Sequence, residues 1–153
     1  MRTNTELEPG ILVAEDVETE RFLIQHAFDK AGIRAPLQLV NDGREVVDYL
    51  TGEGPYTDRL AHPLPGLLIL DLNMPRMTGF DVLAWLAGQP DFKHLPAVIL
   101  SSSGLESDIA KARQLGASDY HVKPHTLGEL AQILQSIEMR WLSSAVQASP
   151  GPL

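Results

Sequence analysis

Four short strand-like runs in this chain each end on a residue that can do chemistry, and the segments between them carry helical periodicity. Ile11-Leu12-Val13-Ala14 leads into Glu15-Asp16, Leu67-Leu68-Ile69-Leu70 into Asp71, Val98-Ile99-Leu100 into Ser101, and Tyr120-His121-Val122 into Lys123-Pro124. A fifth run spans Leu37 to Val40. Short apolar runs alternating with helix-period segments predict a parallel sheet covered by helices on both faces, an α/β fold. In an open sheet of this kind ligands bind at the carboxyl ends of the strands, so these terminal residues converge on one edge. Three acids, a hydroxyl and an ammonium gathered there suit a divalent cation and a phosphoryl group.

The intervening segments predict five helices. The first runs from about Glu18 to Ala31, with Ile24, Ala27, Phe28 and Ala31 at spacings of three and four and Gly32 as its stop. A short second helix follows Asn41-Asp42-Gly43 and ends near Leu50, with Asp42 as its cap. Thr51 to Gly66 is rich in Gly, Pro and polar residues and reads as a long loop. A third helix spans about Gly79 to Ala87, and a fourth begins near Leu105 with Ile109, Ala112 and Leu115 on one stripe. The last starts at Thr126 and carries Leu127, Leu130, Leu134, Ile137 and Trp141 inward. With 153 residues, 44% of them hydrophobic, one core is expected: a flexible N-terminus at 1–9, a folded domain at 10–142, and a flexible C-terminal tail at 143–153 that ends in a Ser149-Pro150-Gly151-Pro152 breaker.

Charge and residue usage exclude several classes. A formal net charge of -8 without a Lys/Arg-rich segment argues against nucleic-acid binding by phosphate neutralisation. No run approaches the roughly 18 apolar residues of a membrane span, and Met1 to Gly10 has no signal-peptide segment, so the expected location is the cytoplasm and no membrane contact is expected. The absence of cysteine removes thiolate ligands and thiol nucleophiles. His26, His62, His94, His121 and His125 lack a paired spacing on one helix face and read as surface or core imidazoles. Trp85 and Trp141 fall on helical stripes and read as packing residues.

Taken together, Glu15-Asp16, Asp71-Leu72-Asn73-Met74-Pro75 with Gly79 beyond it, Ser101, Gly116-Ala117 and Lys123-Pro124 resemble the receiver domain of bacterial two-component response regulators. The resemblance covers roughly Gly10 to Leu142 and implies the family's doubly wound, flavodoxin-like five-stranded sheet in order 2-1-3-4-5, flanked by five helices. It implies Asp71 as phosphoacceptor, with Mg2+ held by Asp16, Asp71 and the main-chain carbonyl of Asn73, and with Glu15 acting through a water. Ser101 and Lys123 would contact the phosphoryl group, and Tyr120 would rotate as the loop after the fourth strand moves inward. The protein so implied is a signalling phosphoacceptor rather than an enzyme, although it assists its own phosphoryl transfer and dephosphorylation. Its donor would be a histidine kinase or a histidine phosphotransfer protein docking over the Asp71 edge and the first helix, where Arg21 and Gln25 are expected as exposed contacts. Its response would be a change in the face formed by the fourth helix, fifth strand and fifth helix, through which a homodimer is expected.

Three features refine that resemblance. The separation of Asp16 from Asp71 exceeds that of compact members, with the excess in Thr51 to Gly66, and the last helix ends in Arg140-Trp141-Leu142. Both are similar to the stand-alone receivers that serve bacterial phytochrome histidine kinases. His125 stands where many receivers carry an aromatic residue, and receivers often hold the Lys-Pro bond cis. Ser103 and Asn73 flank the acceptor and neither is an obvious general base, which predicts a phosphorylated lifetime of minutes or longer. Two other readings use the same residues less well. A haloacid dehalogenase-type phosphatase wants a second Asp where Asn73 stands, and a flavodoxin-like carrier wants a phosphate-binding loop where Glu15-Asp16 would repel the flavin phosphate. A phosphate-independent scaffold or dimerisation module would have no use for Asp71, Asp16 and Lys123.

Overall fold

In the computed structural model, which describes residues 9–143, five parallel strands pair in the order β2-β1-β3-β4-β5. They are β1 (Gly10–Ala14), β2 (Leu37–Val40), β3 (Pro65–Leu70), β4 (Ala97–Ser101) and β5 (Asp119–Val122). The helices are α1 (Glu18–Ala31), α2 (Gly43–Thr51), α3 (Gly79–Ala87), α4 (Glu106–Gln114) and α5 (Leu127–Ile137). This is the architecture expected from the sequence.

The central strands are continuously apolar because both of their faces are covered. Successive side chains point to opposite faces, so each strand feeds two cores. Leu12, Leu68, Leu70 and Ile99 pack with Val46, Val82, Leu83 and Leu86 of α2 and α3. Ile11, Val13, Leu67, Ile69 and Val98 pack with Ile24 and Phe28 of α1 and with Leu130, Leu134 and Ile137 of α5. Register aligns the strand ends: Ala14 lies opposite Leu70, and Ser101 opposite Val122. The residues that follow, Glu15 with Asp71 and Lys123 beside Ser101, therefore emerge side by side.

Helix termini follow local chemistry. Asp42 caps α2 by accepting the Glu45 amide, Thr78 and Asp81 form a capping box at α3, and Thr126 accepts the Glu129 amide at α5. α1 stops at Gly32, which is left-handed at φ 71°.

Two segments differ from the sequence reading. Thr51 to Gly66 is a structured insertion: it contains a 3-10 turn at Gly54–Tyr56, and Pro65 and Gly66 already belong to β3. The rings of Tyr49, Tyr56 and His62 pack at 5.0 to 5.8 Å, while Arg59 donates to the carbonyls of Leu50 and His62. The second difference lies after α5, where Glu138–Ser143 forms a π-helical turn. Its extra residue per turn moves the inward position on by one residue. Leu142 is buried as a result, and Trp141 packs half-buried against the same core, as expected, while donating its ring N–H to Asp119 at 3.3 Å. Pro9 packs against Gly66; the rest of the expected N-terminal segment and residues 144–153 lie outside the described residues. No helix among the described residues is long and apolar enough to cross a membrane.

Candidate functional site

The backbones carrying the central acids are fixed one residue beyond their strands. The Glu15 amide donates to the Val40 carbonyl at 3.0 Å and the Asp71 amide to the Ala14 carbonyl at 3.2 Å. Below Asp71, the Gly79 amide donates to the Leu72 carbonyl at 3.0 Å. A Cβ at Gly79 would overlap the Asp71 carbonyl oxygen, so only glycine lets α3 approach this closely.

Lys123 ties the acids together. Its ammonium donates to Glu15 Oε1 at 2.7 Å and to Asp71 Oδ2 at 3.0 Å, and it lies 3.1 Å from Glu20 Oε1 on α1. The Lys123 amide donates to the Ser101 carbonyl at 2.8 Å, which sets the height of the side chain on the sheet edge. Burial alone would lower the Lys123 pKa, but the bonds and charges of Glu15 and Asp71 outweigh it and hold the ammonium well above its ordinary value. Glu15, at 1% exposure, has its carboxyl pushed up by burial, against the opposing pull of Lys123. The remaining oxygens of the pair are held by amides, Glu15 Oε2 by Val17 at 3.2 Å and Asp71 Oδ1 by Asn73 at 3.3 Å.

Asp16 completes the cluster. Glu15, Asp16 and Asp71 offer oxygens that lie within 4.8 Å of one another, the one such group of potential metal ligands among the described residues. Asp16 Oδ1 is buried without a hydrogen-bond partner. An orphaned carboxylate oxygen is costly in a protein interior, and three converging carboxylates exceed what one ammonium neutralises. An oxygen-only donor set with this excess charge fits a hard divalent cation.

The hydroxyl side of the site is equally ordered. Ser101 is fully buried and its Oγ accepts the Ser103 amide at 3.2 Å. Tyr120 donates its hydroxyl to the Ser103 carbonyl at 2.7 Å, and Ser103 Oγ donates to Asp108 at 2.6 Å. The loop between β4 and α4 is thus joined to β5 on one side and to α4 on the other.

The residues singled out from the sequence at Glu15, Asp16, Asp71 and Lys123 meet in one place, with Ser101 on the adjacent strand. Arg21 departs from expectation: rather than standing free on α1, it donates to the Glu15 carbonyl at 3.0 Å. Gln25 is exposed, as are Val17, Phe22 and Leu23. The Lys123-Pro124 bond is trans, unlike the isomer common in the resembling family. His125 edges a cleft of about 280 Å³, lined also by Glu20, Leu23, Lys123 and Leu127. Glu20 was not legible as a site residue, because an acid in the first turn of a helix is ordinary dipole chemistry.

Comparison with known proteins bears on the whole arrangement. The sequence matches the response regulator receiver domain family over residues 11–135. The chain belongs to that family. The receiver is 33% identical to the response regulator Rcp1 of Synechocystis sp. (strain ATCC 27184 / PCC 6803 / Kazusa), over 88% of this chain and 89% of that protein. A crystal structure of the Mn2+-bound form of Rcp1 superposes with a TM-score of 0.76 at 32% identity, covering 89% of this chain and 96% of that one. The phosphorylated cyanobacterial phytochrome response regulator RcpA matches with a TM-score of 0.79 at 36% identity, over 90% and 96% of the two chains. The response regulator RPA3017, in red light signaling of R. palustris, matches with a TM-score of 0.84 at 33% identity, over 89% and 95%. The receiver is therefore a two-component signalling protein related to phytochrome response regulators.

Proposed function

We propose that this receiver takes a phosphoryl group onto Asp71 from the phosphohistidine of a histidine kinase or histidine phosphotransfer protein, with Mg2+ as cofactor, in a cytoplasmic pathway downstream of a bacterial phytochrome. The observation that carries this reading is the Lys123 ammonium bridging Glu15 and Asp71 beside the orphaned oxygen of Asp16. One Asp71 oxygen attacks phosphorus, a new O–P bond forms as the N–P bond breaks, and the electron pair leaves on the imidazole nitrogen. Asp71 is suited to the attack because the amide of Asn73 and the ammonium of Lys123 hold its two oxygens in fixed directions. As charge moves onto the phosphoryl oxygens, Lys123 exchanges a carboxylate contact for a phosphoryl contact, and the Ser101 hydroxyl proton donates to a second oxygen. Asp16, Asp71 and the Asn73 carbonyl would hold Mg2+, with Glu15 acting through a water. When bound, the ion neutralises the three carboxylates and the incoming phosphoryl charge.

The donor would dock over the Asp71 edge and α1, where Val17, Phe22 and Leu23 supply exposed apolar area beside Gln25. The response would run from Ser101 through the Ser103 carbonyl to Tyr120 and so to the α4-β5-α5 face. The test is intact mass spectrometry after incubation with Mg2+ and a small-molecule phosphodonor. The wild type is expected to gain one phosphoryl group and Asp71→Asn none. Equal gain in both proteins, or none in either, overturns the assignment.

A further inference from the structure

The loop between β3 and α3 turns in an unusual way. The Met77 amide donates to the Pro75 carbonyl at 2.6 Å across Arg76, whose φ is 65°. Arg76 is the one non-glycine residue with positive φ among those described. A three-residue turn with its central side chain in the left-handed region is rare and strained, and it persists only where the surroundings hold it.

The Arg76 side chain provides that hold. Its Nε donates to Asp42 Oδ2 at 2.9 Å, and a second guanidinium nitrogen reaches the same oxygen. The other oxygen, Asp42 Oδ1, accepts the Glu45 amide at 2.9 Å and caps α2. Asp42 is only 1% exposed, so these partners stand in for the water its charge has lost. A backbone contact runs alongside: the Gly43 amide donates to the Met77 carbonyl at 3.1 Å, and a Cβ at Gly43 would overlap that carbonyl oxygen. Residues 42–43 and 76–77 therefore clasp the start of α2 to the loop that carries Asn73.

We infer that Arg76 is a positioning residue of the phosphoryl and cation site: its clasp on Asp42 holds the β3–α3 loop in the turn that presents the Asn73 carbonyl. The inference rests on the proposed role of that carbonyl as a cation ligand. Arginine fits the task because its planar fork can place two donors on one carboxylate, whereas lysine offers a single point charge.

The test titrates Mn2+ alone into the full chain and reads the free ion by electron paramagnetic resonance, with melting in chelator measured in parallel. Arg76→Gly removes the clasp but relieves the backbone strain, and Asp42→Ser keeps a capping oxygen while removing the carboxylate. Both are expected to weaken Mn2+ binding about 10-fold, the effect usual for losing a group that orients a ligand. Arg76→Lys should fall between them and the wild type. Leu134→Ala, in the core on the opposite face of the sheet, should lower the melting temperature and leave the Mn2+ affinity unchanged. Wild-type affinity in Arg76→Gly or in Asp42→Ser overturns the clasp, as does an equal loss in Leu134→Ala. If the wild type itself takes up no Mn2+, the cation reading of the site has failed; if it binds and Arg76→Gly binds equally, only the clasp has failed.

Discussion

At the scale of single residues, the site is a place where charge is held against its own cost to the fold. Glu15 is buried and its carboxyl lies above 4.5, the ordinary value it regains on unfolding. An acid whose folded pKa is raised binds its proton more tightly in the native state, so stability is lost as pH rises from 4.5 through the folded pKa, and the loss stays constant above it. Glu15→Gln is neutral at every pH and escapes that cost, while Lys123 keeps Asp71 and Glu20 as partners. In chelator at pH 7 the variant should melt above the wild type, with the gap closing as pH falls below 4.5. Thermal denaturation across that range checks it, and a variant less stable at pH 7 contradicts it. Divalent cation should act in the other direction. It would bind the assembled carboxylates and not the unfolded chain, so a concentration of about 100 times its dissociation constant should add about 2.7 kcal/mol to the wild type. Asp16→Asn should lose most of that increment, as differential scanning calorimetry with and without Mg2+ would show.

At the scale of elements, what positions Asp71 is the close approach of α3 to the end of β3. A methyl group at Gly79 would overlap the Asp71 carbonyl and lie 3.0 Å from Leu72 Cα, and backbone cannot yield as a side chain can. Gly79→Ala should therefore cost about 1–3 kcal/mol in urea denaturation and slow phosphodonor uptake by moving Asp71. Unchanged stability together with an unchanged rate would mean that α3 is free to back away. This element was legible in the sequence, because the Asp71 run with Gly79 at its fixed distance has a local steric reason. The strands were legible for a similar reason, since burial on both faces demands unbroken apolar runs such as Leu67 to Leu70. The π-turn at Glu138–Ser143 was not, because the burial of Leu142 next to Trp141 depends on what β3 and Pro9 leave open beside Gly66. The left-handed Arg76 was hidden for the same cause: its conformation is decided by Asp42, a residue distant in sequence that read simply as a helix cap.

At the scale of the whole molecule, two cores grip the sheet from opposite faces, so a phosphoryl group is not expected to bend the sheet itself. The expected response is a movement of the loop between β4 and α4, which is joined to its surroundings by the Tyr120 and Asp108 bonds to Ser103. Drawing Ser101 and its loop toward a phosphoryl oxygen would compete with those bonds, and their loss would free α4 relative to β5. Exposed Leu105 and Val122 flank this link, at 65% and 44% exposure, and supply apolar area for a second copy to cover. Phosphorylation is therefore expected to shift the protein toward a homodimer through the α4-β5-α5 face. Light scattering should show the molar mass doubling with phosphodonor, and Val122→Glu should stay monomeric while still gaining its phosphoryl group. A wild type that is fully phosphorylated and unchanged in mass would leave the exposed face to a different protein. A doubled mass in Val122→Glu would place the dimer elsewhere, because a carboxylate buried at that interface without a partner could not be tolerated.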